Sequence, residues 1–84
     1  GPVVTVHGLR LGPDVAVYAP RSGRGVVVAA KDNAGVTIKP RGHRARTRSV
    51  PTGAAFAVRT RAKRYTITVA DASGATWRAV YRPG

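Results

Sequence analysis

Apolar residues in this chain come in short β-branched groups or in strict alternation, and Gly, Pro, Asn or Asp interrupts them every few residues. Alternation puts successive side chains on opposite sides of an extended backbone, which suits a strand with one buried face. Nowhere does a 3.6-residue apolar period run the length of a helix without meeting Gly or Pro. The pattern excludes a helical domain and predicts an all-β one.

About seven short strands are expected. They are Val3–His7, Val15–Ala19, Gly25–Ala30, Val36–Lys39, Ala55–Arg59, Tyr65–Ala70 and Thr76–Tyr81. Gly8–Asp14 reads as a loop, and Pro20, which cannot donate to a ladder, closes the second strand. Gly25–Ala30 is apolar on both faces, as a central strand would be. Tyr65, Ile67 and Val69 point one way, and Trp77, Ala79 and Tyr81 share a face. Val17, Val28, Ile38, Phe56, Val58, Ile67, Val69 and Trp77 form the expected core, each contributing roughly 1.5–3 kcal/mol when fully buried.

Two segments resemble one another. Val26–Ile38 aligns with Tyr65–Trp77 at a spacing of 39, setting Asp32 on Asp71 and Gly35 on Gly74. Asp-x-x-Gly is a turn pattern, because Asp bonds its own backbone and Gly accepts a positive φ. Each copy therefore reads as a hairpin, and a lone hairpin is marginal in water. Two such halves are expected to pack face to face with pseudo-twofold symmetry. An immunoglobulin-like sandwich fits this better than the alternative, a small SH3-like or OB-like barrel.

Gly1-Pro2 reads as the scar of a cleaved tag and is set aside, with the natural chain expected to begin further upstream. Residues 3–84 then form one all-β domain with a basic connector at 39–52. A chain of 84 residues buries roughly 60–65% of its unfolded surface, which leaves little room for a deep cavity. The chain has no Cys, so disulfides and thiolate chemistry are excluded. No apolar run is long enough to span a bilayer. The compartment is open on these grounds.

Charge is the extreme property. Fifteen Lys and Arg face three acids, all Asp, for a net charge of +12. GC-rich coding would favour Arg over Lys and raise Ala, but it does not account for the absence of Glu. A compact domain with this imbalance repels itself, and its expected use is a polyanion: DNA or RNA first, an acidic polysaccharide or cell-wall polymer second. Arg44, Arg46 and Arg48 are spaced by two, so an extended chain points them the same way. Arg59, Arg61 and Lys63 repeat the spacing, and Arg41 and Arg64 add to it. If the connector folds beside Ala55–Arg59, both rows merge into one cationic surface. Guanidinium groups hold phosphate or carboxylate in bidentate fashion.

A single-strand binder also needs exposed aromatic platforms, and Tyr18 and Tyr81 are the candidates for stacking. Catalysis is not expected. The three Asp are dispersed, His7 and His43 lie far apart, and Ser22, Ser49 and Ser73 fall in loops without a local signature. No ligand spacing suggests a metal, and no cofactor fingerprint opens a helix. The expected function is thus a non-catalytic module that holds a polyanion, most simply the phosphate backbone of a nucleic acid. The alternative is an immunoglobulin-like structural or accessory domain of a larger secreted or virion protein. Such a domain would meet another protein, a neighbouring domain of its own chain, or an anionic cell-wall polymer.

Overall fold

A computed structural model describes residues 8–83. Eight strands run through them: β1 (Gly8–Arg10), β2 (Val15–Tyr18), β3 (Val26–Ala30), β4 (Ala34–Pro40), β5 (Arg46–Val50), β6 (Ala55–Val58), β7 (Tyr65–Ala70) and β8 (Thr76–Tyr81). They form two four-stranded sheets, ordered β1-β2-β3-β6 and β5-β4-β7-β8, with every paired neighbour antiparallel. No helix occurs among the described residues, so none is long and apolar enough to cross a membrane.

The strand list corrects the expectation at two points. Gly8–Arg10, read as loop, pairs with β2, and β5 lies inside the segment read as a connector. The expected strand Val3–His7 lies outside the described residues. β5 escaped notice because Arg-Thr-Arg-Ser-Val carries no apolar alternation; four of its five residues are exposed, and it stands at the edge of its sheet.

Alternation does place the core. Val15 and Val17 of β2, Val26, Val28 and Ala30 of β3, and Phe56 and Val58 of β6 face Val36 and Ile38 of β4 and Ile67 and Val69 of β7 in one buried cluster. β3 is central in its sheet, as its two apolar faces require. The two separate sheets are consistent with an immunoglobulin-like sandwich. So is Tyr65 at the start of β7. Its hydroxyl donates to the Thr60 carbonyl (2.6 Å) and accepts from the Ala62 amide (3.0 Å), the tyrosine-corner arrangement of such sandwiches. Trp77, expected in the core, is instead 39% exposed. It sits at the sandwich margin because its indole lies over Gly12, where a Cβ would come within 2.8 Å of the ring. Its Nε1 donates to Asp71 (3.1 Å).

The aligned segments do not fold alike. Asp71–Gly74 joins β7 to β8 as a hairpin. The Gly74 amide donates to the Asp71 carbonyl (3.0 Å) and the Asp71 amide to the Ala75 carbonyl (2.9 Å), with Gly74 at φ 89. Asp32 and Asn33 instead carry the chain from one sheet to the other, since β3 and β4 belong to different sheets. Gly35 lies within β4 and makes no positive-φ turn. The aligned position of Ser73 is Ala34, which has no hydroxyl to bond Asp32. Asn33 Oδ1 accepts from the Thr52 amide instead (2.8 Å).

Strand directions sort the connections between two ends. β1–β2, β3–β4, β5–β6 and β7–β8 join at one end, and β2–β3, β4–β5 and β6–β7 at the other. Asp14, Asp32 and Asp71 all fall in the first group. That end is called the Asp end below, and its opposite the cationic end.

Candidate functional site

The three connections of the cationic end hold Arg21 and Arg24, then Arg41 and Arg44, then Arg59, Arg61, Lys63 and Arg64. All eight are exposed and none of the three connections contains an acid. Arg82 follows β8 at the same end. Like charges brought this close repel, so the backbone must be held by other means. Gly25 supplies one: its φ is +89, and a Cβ there would stand 1.9 Å from the Val58 carbonyl oxygen. Only glycine lets the β2–β3 connection approach β6 so closely. The Arg41 amide donates to the Arg64 carbonyl (3.0 Å), tying the second connection to the third. Lys39 Nζ donates to the His43 carbonyl (2.7 Å) and braces the β4–β5 turn. The Tyr65 hydroxyl spans the β6–β7 connection from within.

Of the residues expected to bind a polyanion, Arg41, Arg44, Arg59, Arg61, Lys63 and Arg64 share this end. Arg46 and Arg48 do not lie in its connections. They are on β5, which hydrogen-bonds to β4 while β6 pairs with β3 in the other sheet, so β5 meets β6 across the open edge of the sandwich and not as a paired strand. The spacing of two holds, because Arg46, Arg48 and Val50 share one side of β5. That side faces the sandwich interior at an open edge, and Arg48 lies over the Phe56 ring, 5.1 Å from its centroid. Such a contact contributes about 0.5–1 kcal/mol at an exposed site. Arg48 therefore shields the core edge. Arg21, Arg24 and Arg82 were not selected from the sequence. Their signal was only that charged residues flank each strand end, which does not reveal which ends coincide.

The aromatic expectation divides. Tyr18 is 38% exposed on the outer face of the β1-β2-β3-β6 sheet, beside Val27, and it lines a surface depression with Arg10 and Lys31, away from the cationic end. Tyr81 is fully buried and is no platform. It packs against Tyr65 with ring centroids 6.3 Å apart. Burial, and secondarily the neighbouring Tyr65, raise its phenol above the ordinary value near 10.0. Its hydroxyl is buried with no hydrogen-bond partner among the described residues.

The two outer faces differ. Ala16, Tyr18, Val27, Ala29, Ala55 and Ala57 line one, which is mainly apolar with Arg10 at its β1 edge. The other, on the β5-β4-β7-β8 sheet, carries Thr47, Thr37, Thr68 and Arg78 in one cross-strand row, with Lys39 and Thr66 in the next. At the Asp end, the Asp71 carboxylate is occupied by turn bonds. Hydrogen bonds from the Ser73 hydroxyl and then Trp77 hold its pKa below the ordinary 3.8. Asp14 and Asp32 lie in separate connections, and His43 is exposed at the far end. Comparison with protein-family models, with curated proteins and with solved structures finds no match.

Proposed function

We propose that this domain is a non-catalytic module that holds a polyanion, nucleic acid first, at its cationic end. The separation of charge carries the reading: three connections rich in Arg converge at one end, and all three Asp occupy the other. A field of one sign over a compact surface draws in a polymer of the opposite sign and releases its counterions. Guanidinium groups on short, braced connections present donors to phosphate with little ordering left to do on binding. Contacts to the phosphate backbone carry no base information, so sequence preference is expected to be weak.

Fluorescence anisotropy with labelled duplex DNA, single-stranded DNA and RNA at 50 and 200 mM salt tests this. Six or more phosphate contacts lower affinity by about a thousandfold or more across that range. Absence of binding to DNA, RNA and heparin at the lower salt overturns the reading.

A second reading rests on the apolar outer face of Ala16, Tyr18, Val27, Ala29, Ala55 and Ala57. An exposed apolar patch suits a protein partner, as an immunoglobulin-like structural or accessory domain would have. Charge-substituted variants leave such docking intact, whereas Tyr18→Lys abolishes it.

A further inference from the structure

The outer face of the β5-β4-β7-β8 sheet has the makings of a second, more specific site. Register aligns Thr47, Thr37, Thr68 and Arg78 across all four strands, and Lys39 with Thr66 one row nearer the cationic end. Arg41 and Arg64 extend this face past the ends of β4 and β7, joined by their backbone hydrogen bond. All of these residues except Thr47 line a shallow depression of about 400 Å³. Its floor is half-buried threonine, its rim exposed cations, and no Asp or Glu lies on it. Gly35, Ala45 and Ala70 keep the surrounding face low, and nothing stands within 4 Å of a Cβ built at Gly35.

The donors are not equally available. Thr37 and Thr47 share a hydrogen bond (2.9 Å), and Lys39 is held by the His43 carbonyl (2.7 Å). Among the described residues, Thr66, Thr68, Arg64 and Arg78 are left facing outward with no such tie. Neighbouring strands set cross-strand Cβ atoms about 4.5–5.5 Å apart, and alternate residues on a strand lie about 6.6 Å apart. Hydroxyl and guanidinium donors therefore border one depression from two neighbouring strands. A tetrahedral oxyanion, whose several oxygens accept from different directions, suits donors spread around a depression better than a planar group. Charge-assisted bonds of this kind are roughly twice as strong as neutral ones.

We propose that this depression seats one phosphodiester group of a bound nucleic-acid strand, with Arg78 and Arg64 as charged donors and Thr66 and Thr68 as neutral ones. The inference rests on the polyanion reading of the cationic end, from which Arg41 and Arg64 lead directly onto the face. It adds that the strand leaves that end along the β5-β4-β7-β8 sheet, not along the apolar sheet. The two donor types separate by their salt behaviour. Removing a charged contact lowers the salt slope by about one unit, whereas removing a neutral donor leaves the slope unchanged.

The test measures binding of a ten-nucleotide single strand, as DNA and as RNA, to the wild-type domain, Arg78→Gln, Thr68→Val and the loop control Arg61→Gln/Lys63→Gln. Thermal melting of each accompanies it. Arg78 and Thr68 are on an outer face and Val keeps the β-branch, so all variants are expected to melt like wild type. The proposal expects about fivefold weaker binding for Arg78→Gln with a shallower salt slope, and about threefold weaker binding for Thr68→Val with the slope retained. Amide shifts at Thr66, Thr68 and Arg78 on titration would accompany these losses. Wild-type affinity in both face variants, with binding weakened only in the loop control, overturns the site and leaves the cationic-end reading standing. No binding by the wild type overturns both. Arg78-dependent binding of heparin but of neither oligonucleotide overturns the assignment to nucleic acid.

Discussion

The two ends of the sandwich solve the same geometric problem by different means. At the Asp end, charged and amide side chains share the bracing with backbone bonds: Asp71 accepts from Ser73, Ala75 and Trp77, Asn33 and Asp32 accept from Thr52, and the Lys31 amide donates to the Asp14 carbonyl. At the cationic end the bracing comes mainly from backbone bonds, from a glycine where no Cβ fits, and from a tyrosine hydroxyl reaching up from the interior. Lys39 is the one cation there that takes a structural bond among those described. The contrast teaches that charge becomes available for a partner where the fold is held by groups other than the charged ones. It also explains how so many like charges can sit together: their repulsion works against a framework they do not themselves maintain.

The contrast is most severely tested at Gly25. Gly25→Ala forces a Cβ against the Val58 carbonyl at a positive φ and is expected to cost at least about 3 kcal/mol. Chemical denaturation measures this, and a loss under about 1 kcal/mol would mean the close approach is not what holds the β2–β3 connection. Next in size is the removal of charge without removal of framework. Replacing Arg59, Arg61, Lys63 and Arg64 together by Gln should weaken polyanion binding about a hundredfold, equivalent to about 2.7 kcal/mol, and lower the salt slope by about three to four units. The melting temperature should hold or rise. A fall in both affinity and melting temperature would show that these cations brace the end after all.

The two buried tyrosines sharpen the comparison further. Tyr65→Phe removes a hydroxyl with two backbone partners and should cost about 1–3 kcal/mol. Tyr81→Phe removes a buried hydroxyl with no partner among the described residues and should be neutral or stabilising by about 1 kcal/mol. Equal losses in both would contradict the difference in their hydrogen bonding. The smallest effect is expected from pH at the Asp end. The folded-state pKa of Asp71 is lowered, so its contribution is fully present above about pH 4 and is lost as pH falls through the folded value. Melting followed from pH 6 to pH 2 should show wild type converging on Asp71→Asn at the acid limit. Parallel curves would mean that the carboxylate does not clamp this turn.

Most of the strands were legible because their cue is local. Tyr65, Ile67 and Val69 alternate with Thr66 and Thr68, and all three are buried. β5 was not legible, since an edge strand made of Arg, Thr and Ser needs no apolar face of its own. Trp77 and Tyr81 were misjudged in opposite directions. Both share a strand side with Ala79, but Tyr81 is deep in the sandwich and Trp77 is at its margin. Alternation gives the side a residue faces and says nothing of its depth. The candidate site was half legible: the cations of the β4–β5 and β6–β7 connections could be singled out by density, whereas Arg21, Arg24 and Arg78 could not.

By itself the sequence determined that this chain is all-β, which residues on most of its strands point inward, and that its surface is overwhelmingly positive. Those properties depend on period-two alternation and on composition, both of which act between near neighbours. Only the tertiary structure decided that β3 and β4 part into different sheets while β7 and β8 stay paired. It likewise decided that Arg46 and Arg48 line an edge, and that the Arg-rich connections gather opposite the three Asp. These depend on which apolar faces bury one another and on the direction in which each strand runs, and both are set by contacts between residues far apart in the chain.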